Sequence, residues 1–126
     1  MKTRIKGDII RFRLSQSEVE QLAEGGTVSS HTVFATAIAL NFILRGSADV
    51  AKIIFQKKED TYLFDIPKNL LKVWKAPDQV TIEEKIDNGK ESGLTVLIEK
   101  DFQCLIVRKG EDESGLFPNP SSERRQ

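Results

Sequence analysis

The chain has one cysteine, one histidine, one methionine, one tryptophan and one tyrosine in 126 residues, and no excess of either charge. A lone Cys104 excludes an intramolecular disulfide and suits a reducing compartment. With one Cys and one His, a zinc site within the chain would need two carboxylates as well. Nineteen basic residues against nineteen acidic ones leave no basic excess of the kind a general nucleic-acid binder carries. The longest apolar stretch, around Val33 to Leu44, is broken by Thr36 and Asn41 and falls short of a membrane span. Behind Met1-Lys2-Thr3-Arg4-Ile5-Lys6 no apolar run is long enough for a signal-peptide core, so a cytoplasmic location is expected. No glycine-rich phosphate loop, serine-centred elbow or paired-histidine helix motif is present. No catalytic residue, metal or cofactor is therefore expected.

What is present is strand-like patterning, met twice. Thr3 to Lys6 and Ile9 to Leu14 flank Gly7-Asp8, a dipeptide suited to a tight hairpin turn. Ile10, Phe12 and Leu14 alternate with Arg11 and Arg13, the period of a half-buried strand. Ser15-Gln16-Ser17-Glu18 is a capping box, in which the Ser15 hydroxyl and the Glu18 carboxylate each satisfy a backbone donor of the other. A short helix bearing Val19, Leu22 and Ala23 follows and ends at Gly25-Gly26. Strands around Thr27 to Phe34 and Ile38 to Leu44 complete a ββαββ unit. The order then recurs. Ala51 to Lys57 and Thr61 to Ile66 form a hairpin, and Pro67 suits the first turn of a helix carrying Leu70, Leu71, Val73 and Trp74. Ala76-Pro77 stops that helix. Strands near Gln79 to Asp87 and Gly93 to Asp101 flank a loop with Asn88-Gly89.

A shift of 52 positions lays Ile10 on Tyr62, Phe12 on Phe64, Leu14 on Ile66, Val19 on Leu71 and Leu22 on Trp74. The same shift lays Val28 on Val80 and Phe34 on Ile86. A further two-residue slip in the loop brings Leu40, Phe42 and Leu44 onto Leu94, Val96 and Ile98. The fold expected is α+β and mainly β: about eight antiparallel strands and two short helices as a duplicated ββαββ unit, in a sheet or a partly closed barrel. Residues 1–107 read as a single domain with repeat halves of about 1–46 and 51–101. Phe102 to Val107 would add a ninth strand or an edge arm. Residues 108–126 read as a polar tail, disordered or docked, with an acidic run Glu111-Asp112-Glu113 and an apolar island Leu116-Phe117-Pro118.

The most unusual local feature is the first hairpin. Lys2, Arg4 and Lys6 share one face of the first strand, and Arg11 and Arg13 share one face of the second. Hairpin pairing would put all five bases on one side, where like charges repel unless offset. They are the candidate anion-binding residues, for a small anionic molecule or an acidic protein segment. The alternative is a solvated face partnered by acids from neighbouring strands, such as Glu83, Glu99 or Asp101. The second copy holds Leu63 and Asp65 at that face, so any such site belongs to one half only. Cys104 and His31 are far apart in sequence; a half-buried thiol and a surface imidazole are the simpler reading than a nucleophilic pair. Trp74 reads as a core anchor.

The pattern Lys-x-Arg-Ile-Lys-Gly-x-x-Ile-Arg-x-Arg-Leu-x-x-Ser-Glu-Val, from Lys2 to Val19, resembles the start of a family of short bacterial proteins of unknown function. Glu99-Lys100-Asp101-Phe102-x-Cys104-Leu105 and Phe117-Pro118-Asn119-Pro120 are similar to that family too. The resemblance spans nearly the whole chain and implies no activity. A barrel with a basic lining would also resemble the triphosphate tunnel enzymes, which open with a Glu-x-Glu-x-Lys strand. Here that strand is Lys2-Thr3-Arg4-Ile5-Lys6, without an acid. Metal-assisted phosphate or triphosphate hydrolysis would have to draw on Glu84, Glu99 and Asp101. The function expected is therefore a small soluble binding or interaction module, a homodimer through an exposed sheet edge. The phosphohydrolase is the alternative.

Overall fold

A computed structural model describes residues 1–102 of the chain. The elements in order are β1 (Lys2–Lys6), β2 (Ile9–Leu14), α1 (Gln16–Ala23), β3 (Thr27–Ala35), β4 (Ile38–Ser47), β5 (Ile54–Lys58), β6 (Thr61–Pro67), α2 (Lys68–Trp74), β7 (Thr81–Ile86) and β8 (Leu94–Lys100). The ββαββ order is met twice, as the patterning predicts. The expected ninth strand or arm beyond Phe102 lies outside the described residues.

The strands form two four-stranded sheets, β1-β2-β8-β7 and β3-β4-β6-β5, and among the described residues they do not close into a barrel. Each half gives one hairpin to each sheet. The hairpins are antiparallel, but the two central pairs, β2 with β8 and β4 with β6, are parallel. This corrects the expectation of purely antiparallel strands. The physical reason is the helix: a strand that leads into a helical crossover returns its hairpin to the other sheet, so the partner comes from the other half. Alternation of apolar and polar residues sets which face a strand buries, not which strand lies beside it.

The two sheets map onto each other when the halves are exchanged. The pairs Lys2↔Arg13 and Thr3↔Phe12 become Ile54↔Asp65 and Phe55↔Phe64 under a shift of 52. The parallel pair Ile10↔Val96 becomes Tyr62↔Phe42, and Phe12↔Ile98 becomes Phe64↔Leu44. Register also corrects the place of the two-residue slip. Thr27↔Arg45 corresponds to Thr81↔Glu99, so Val28 matches Ile82 rather than Val80. The extra residues lie between α2 and β7, where Lys75 to Val80 replaces the shorter turn Glu24-Gly25-Gly26.

That difference has a packing consequence. Gly46 donates its N–H to Gly26 O at 3.3 Å, and its counterpart Lys100 donates to Val80 O at 3.2 Å. A Cβ on Gly46 would lie 2.6 Å from Leu22 O and 3.0 Å from Leu71 Cδ1. The longer connection in the second half gives Lys100 space, and its Nζ reaches Ala76 O at 2.8 Å while lying over the Trp74 ring.

Both helices form for local reasons. In α1 the capping box is closed: Ser15 Oγ accepts from Glu18 N at 3.4 Å and Ser15 N donates to Glu18 Oε1 at 2.9 Å. Gly25, at φ +87°, supplies the left-handed residue after the helix. Pro67 stands one residue earlier than expected, at the N-cap of α2. Val19 and Leu22 of α1 and Leu71 and Trp74 of α2 are buried. They cover a core in which Phe12 of one sheet meets Phe42 and Phe64 of the other edge-on, at 5.9 and 5.3 Å between ring centres. The Trp74 indole N–H donates to Val80 O at 3.0 Å, which satisfies the one polar atom of this core anchor.

One polar atom in this region is unsatisfied. Thr3 Oγ1 is buried without a hydrogen-bond partner, on the face opposite Lys2 and Arg4. The equivalent residue in the second half is Phe55. Thr3→Val removes the orphaned hydroxyl at constant shape and is expected to stabilise the fold by up to about 1 kcal/mol; denaturant melts check it. Gly46→Ala is expected to destabilise by about 1–3 kcal/mol or more, because the added carbon meets backbone rather than a movable side-chain end.

Candidate anion-binding face

The register places the five bases together, as the sequence predicts. Arg13 lies opposite Lys2 and Arg11 opposite Arg4, with Ile9 opposite Lys6. Directly opposed residues share a face. Since Ile10, Phe12 and Leu14 point into the core, all five bases stand on the outer face of the first sheet. The next strand brings Glu99 beside Arg13, Leu97 beside Arg11 and Thr95 beside Ile9. The last strand adds Thr81, Glu83 and Lys85. Six bases therefore share this face with the strand acids Glu83 and Glu99, and Asp101, just past β8, reaches Lys2.

Pairing is uneven across the face. Arg11 Nε and Arg13 Nε each lie 3.4 Å from the same Glu99 oxygen, and Lys2 Nζ lies 2.8 Å from Asp101 Oδ2. Two of the acids named from the sequence are thus in place. Glu83 forms no ion pair among the described residues. Arg4 and Lys6, on the edge strand, form none either among the described residues. Lys2, Thr3, Arg4, Arg11 and Arg13 line a shallow hollow of about 200 Å³. A second hollow of about 450 Å³ shares Lys2 and Arg13 with it and is bordered by Met1, Ser15, Ser17, Glu18 and Asp101.

The equivalent place on the second sheet is electrostatically closed. Position 13 becomes Asp65 and position 99 becomes Arg45, so the cross-strand ion pair recurs with its charges exchanged. Arg45 Nε and Nη2 bind Asp65 Oδ1 and Oδ2 at 2.6 and 3.1 Å, a two-pronged contact, and Gln56 Nε2 reaches Oδ2 at 3.4 Å. Hydrogen bonding to Asp65, then its charge, raises the Arg45 guanidinium above its usual range. Where the first sheet has Arg4 and Arg11, the second has Gln56 and Leu63. At those two positions the second sheet carries no charge, although Lys58 stands where the first sheet has Lys6.

The other singled-out groups lie elsewhere. His31 is exposed on the outer face of the second sheet and bonds to its cross-strand neighbour Asn41, the expected surface imidazole. Cys104 and the acidic run fall outside the described residues. The three acids proposed for a metal-assisted reaction do not converge. Glu84 pairs in register with the buried Val96 and accepts from Ile53 N at 3.1 Å, whereas Glu99 stands on the outer face. The interior between the sheets is filled by apolar side chains, with Phe12, Leu14, Val96 and Ile98 fully buried. The bases thus point away from the core rather than into a tunnel.

Glu18, beside the second hollow, shows how local hydrogen bonding tunes a carboxylate. Burial alone would raise it, but the N-terminal ammonium at 2.7 Å and the Ser15 backbone and hydroxyl outweigh burial and hold it below the usual range. A carboxyl lowered on folding stabilises in full above its unfolded value, about 4.3, and loses that contribution as pH falls through the folded value. Glu18→Ala is expected to cost about 1 kcal/mol at neutral pH, the scale of a lost cap. The difference from the parent chain should shrink below about pH 4 in acid-dependent thermal melts.

A family model described as "Family of unknown function (DUF7009)" matches residues 1–121. No curated protein and no solved structure matches the chain. Among the described residues, no helix is long and apolar enough to cross a membrane.

Proposed function

The chain belongs to that family of unknown function, and from its geometry we propose that it is a non-catalytic binding module whose outer first sheet takes an anionic ligand. The observation that carries this reading is the pair Arg4 and Lys6, two bases without an acid partner among the described residues, beside an Arg11 that shares its single acid with Arg13. Opposed like charges on neighbouring strands are unfavourable. A ligand that brings negative charge to Arg4, Lys6 and Arg11 removes that cost, so ligand binding and hairpin stability are coupled. Guanidinium groups present paired donors to carboxylate or phosphate oxygens. The filled interior and the divergent placing of Glu84 and Glu99 favour binding over phosphate-ester chemistry.

The test uses inorganic triphosphate as the probe, titrated calorimetrically. The parent chain is expected to bind with an affinity that falls as salt rises, because the face is exposed and screened. Arg4→Ala with Arg11→Ala should weaken binding by about tenfold or more, the equivalent of about 1.4 kcal/mol, and flatten the salt dependence. Glu99→Gln should tighten it by freeing both arginines. Equal affinity in all three chains would remove the face from consideration.

A further inference from the structure

Each sheet ends on two outer strands, β1 and β7 in the first, β3 and β5 in the second. An exposed edge invites pairing with another chain, and charge, shortness or a bulge usually guards it. β1 carries Lys2, Arg4 and Lys6, β5 carries Lys57 and Lys58, and β7 carries Glu83, Glu84 and Lys85, in five or six residues each. β3 is nine residues long and has no Asp, Glu, Lys or Arg. The sequence has none from Gly25 to Leu44, in a chain that is 30% charged. We infer that β3 is the interface of a homodimer, pairing antiparallel with β3 of a second copy about a twofold axis at Ser30. This edge belongs to the sheet without the basic face, so dimer and anion site stand or fall separately.

The backbone decides which groups are available. Asn41 N donates to Asp60 O at 2.9 Å, so the odd residues of β4 face β6 and the even ones face β3. Their partners Val28, Ser30 and Thr32 therefore direct N–H and C=O to β4. Thr27, Ser29, His31 and Val33 turn theirs outward, where no strand lies beside them. Such a row is a template for one more strand. These four residues are symmetric about Ser30. A twofold there sets Thr27 opposite Val33 of the partner subunit and Ser29 opposite His31 of the partner subunit. Each such pair exchanges two bonds, and a total of about eight lies in the range of a specific interface. One strand paired antiparallel with itself is self-complementary, as a twofold dimer requires. The ladder ends at Phe34, where the register against β4 shifts. At this end of the hairpin the apolar Val33, Phe34 and Ile38 are 63%, 65% and 57% exposed. In the paired register Phe34 of the partner subunit falls beside Gly26, where Gly25 and Gly26 set no side chain against it. Edge and hairpin end together cover on the order of 1,000 Å² in total, the lower limit for a specific interface. The dimer should therefore form in the micromolar range rather than be permanent.

The experiment measures the mass of the full chain by sedimentation across micromolar concentrations. The parent is expected to pass from monomer to dimer. Ser29→Lys with His31→Lys should move that transition about tenfold or more to higher concentration, because the new ammonium groups face one another across the axis. Added salt should restore part of the loss. Both positions are exposed, and an unchanged far-UV circular dichroism spectrum checks that the variant folds. In a Cys104→Ser background, Ser30→Cys is expected to form an intersubunit disulfide on mild oxidation, since residues facing each other at a non-hydrogen-bonded position have Cα atoms about 4.5 Å apart. Thr32→Cys, roughly 13 Å along the strand from its own copy, should not. A parent that stays monomeric into the high micromolar range would overturn the inference. So would a dimer indifferent to the double variant, or one cross-linked through position 32 and not through position 30. A monomeric parent that sediments with phosphatidylcholine vesicles would assign the apolar hairpin end to a lipid surface, and overturns the dimer as well.

Discussion

Everything in this fold depends on the parallel contact between halves. A ββαββ unit alone has two hairpins, each with two open edges, and a lone hairpin is at best marginally stable in water. Pairing β2 with β8 and β4 with β6 turns four hairpins into two four-stranded sheets. It also brings Phe12 against Phe42 and Phe64, so the two sheets share one core. Deleting Phe12 to Ala would cost about 3–5 kcal/mol, a large share of the stability of a domain this size. Each sheet therefore draws its strands from both halves.

Much of this was legible in the residues, and the limits have physical causes. Period-two alternation and the turn dipeptide located β1 and β2, and the capping box located the start of α1, because those signals are local. The repeat was legible through Phe12 and Phe64 or Leu22 and Trp74, since the same inward positions recur. The partner strands were not. A strand buried on one face has the same pattern whether its neighbour runs parallel or antiparallel. The slip was misplaced because Val28 fits Val80 or Ile82 equally well by hydropathy; only the register Thr27↔Arg45 and Thr81↔Glu99 separates them. The basic face was legible because a hairpin fixes its own register. Which acids would meet it depended on β8, and so on the cross-half pairing.

Duplication explains why the face can be asymmetric. The inward residues of both sheets are bound by a common core, whereas the outward ones are held only by their neighbours. At one outward position pair both halves retain an ion pair, yet with exchanged polarity, Arg13 with Glu99 and Asp65 with Arg45. The bond suits either order, because what matters across a strand pair is opposite sign. The difference arises one row further on. Gln56 and Leu63 leave the second sheet neutral there, while Arg4 and Arg11 add charge that Glu99 is already too committed to offset.

A basic edge strand has another physical use, which is to keep a sheet from pairing with a second copy. That use accounts for some of these bases and not for others. The equivalent edge, β5, manages with Lys57 and Lys58 alone and even exposes Ile54 and Phe55. By that standard Lys2 and Lys6 would suffice for β1. Arg11 and Arg13 stand on β2, which is paired on both sides, by β1 and by β8. A charge there protects no edge, and beside Arg4 and Lys2 it works against the hairpin. Edge protection therefore accounts for neither inner arginine: Arg13 has Glu99, in the counterpart of the Asp65–Arg45 pair, whereas Arg11 only shares that acid, and it is Arg11 that the proposed anion site would explain.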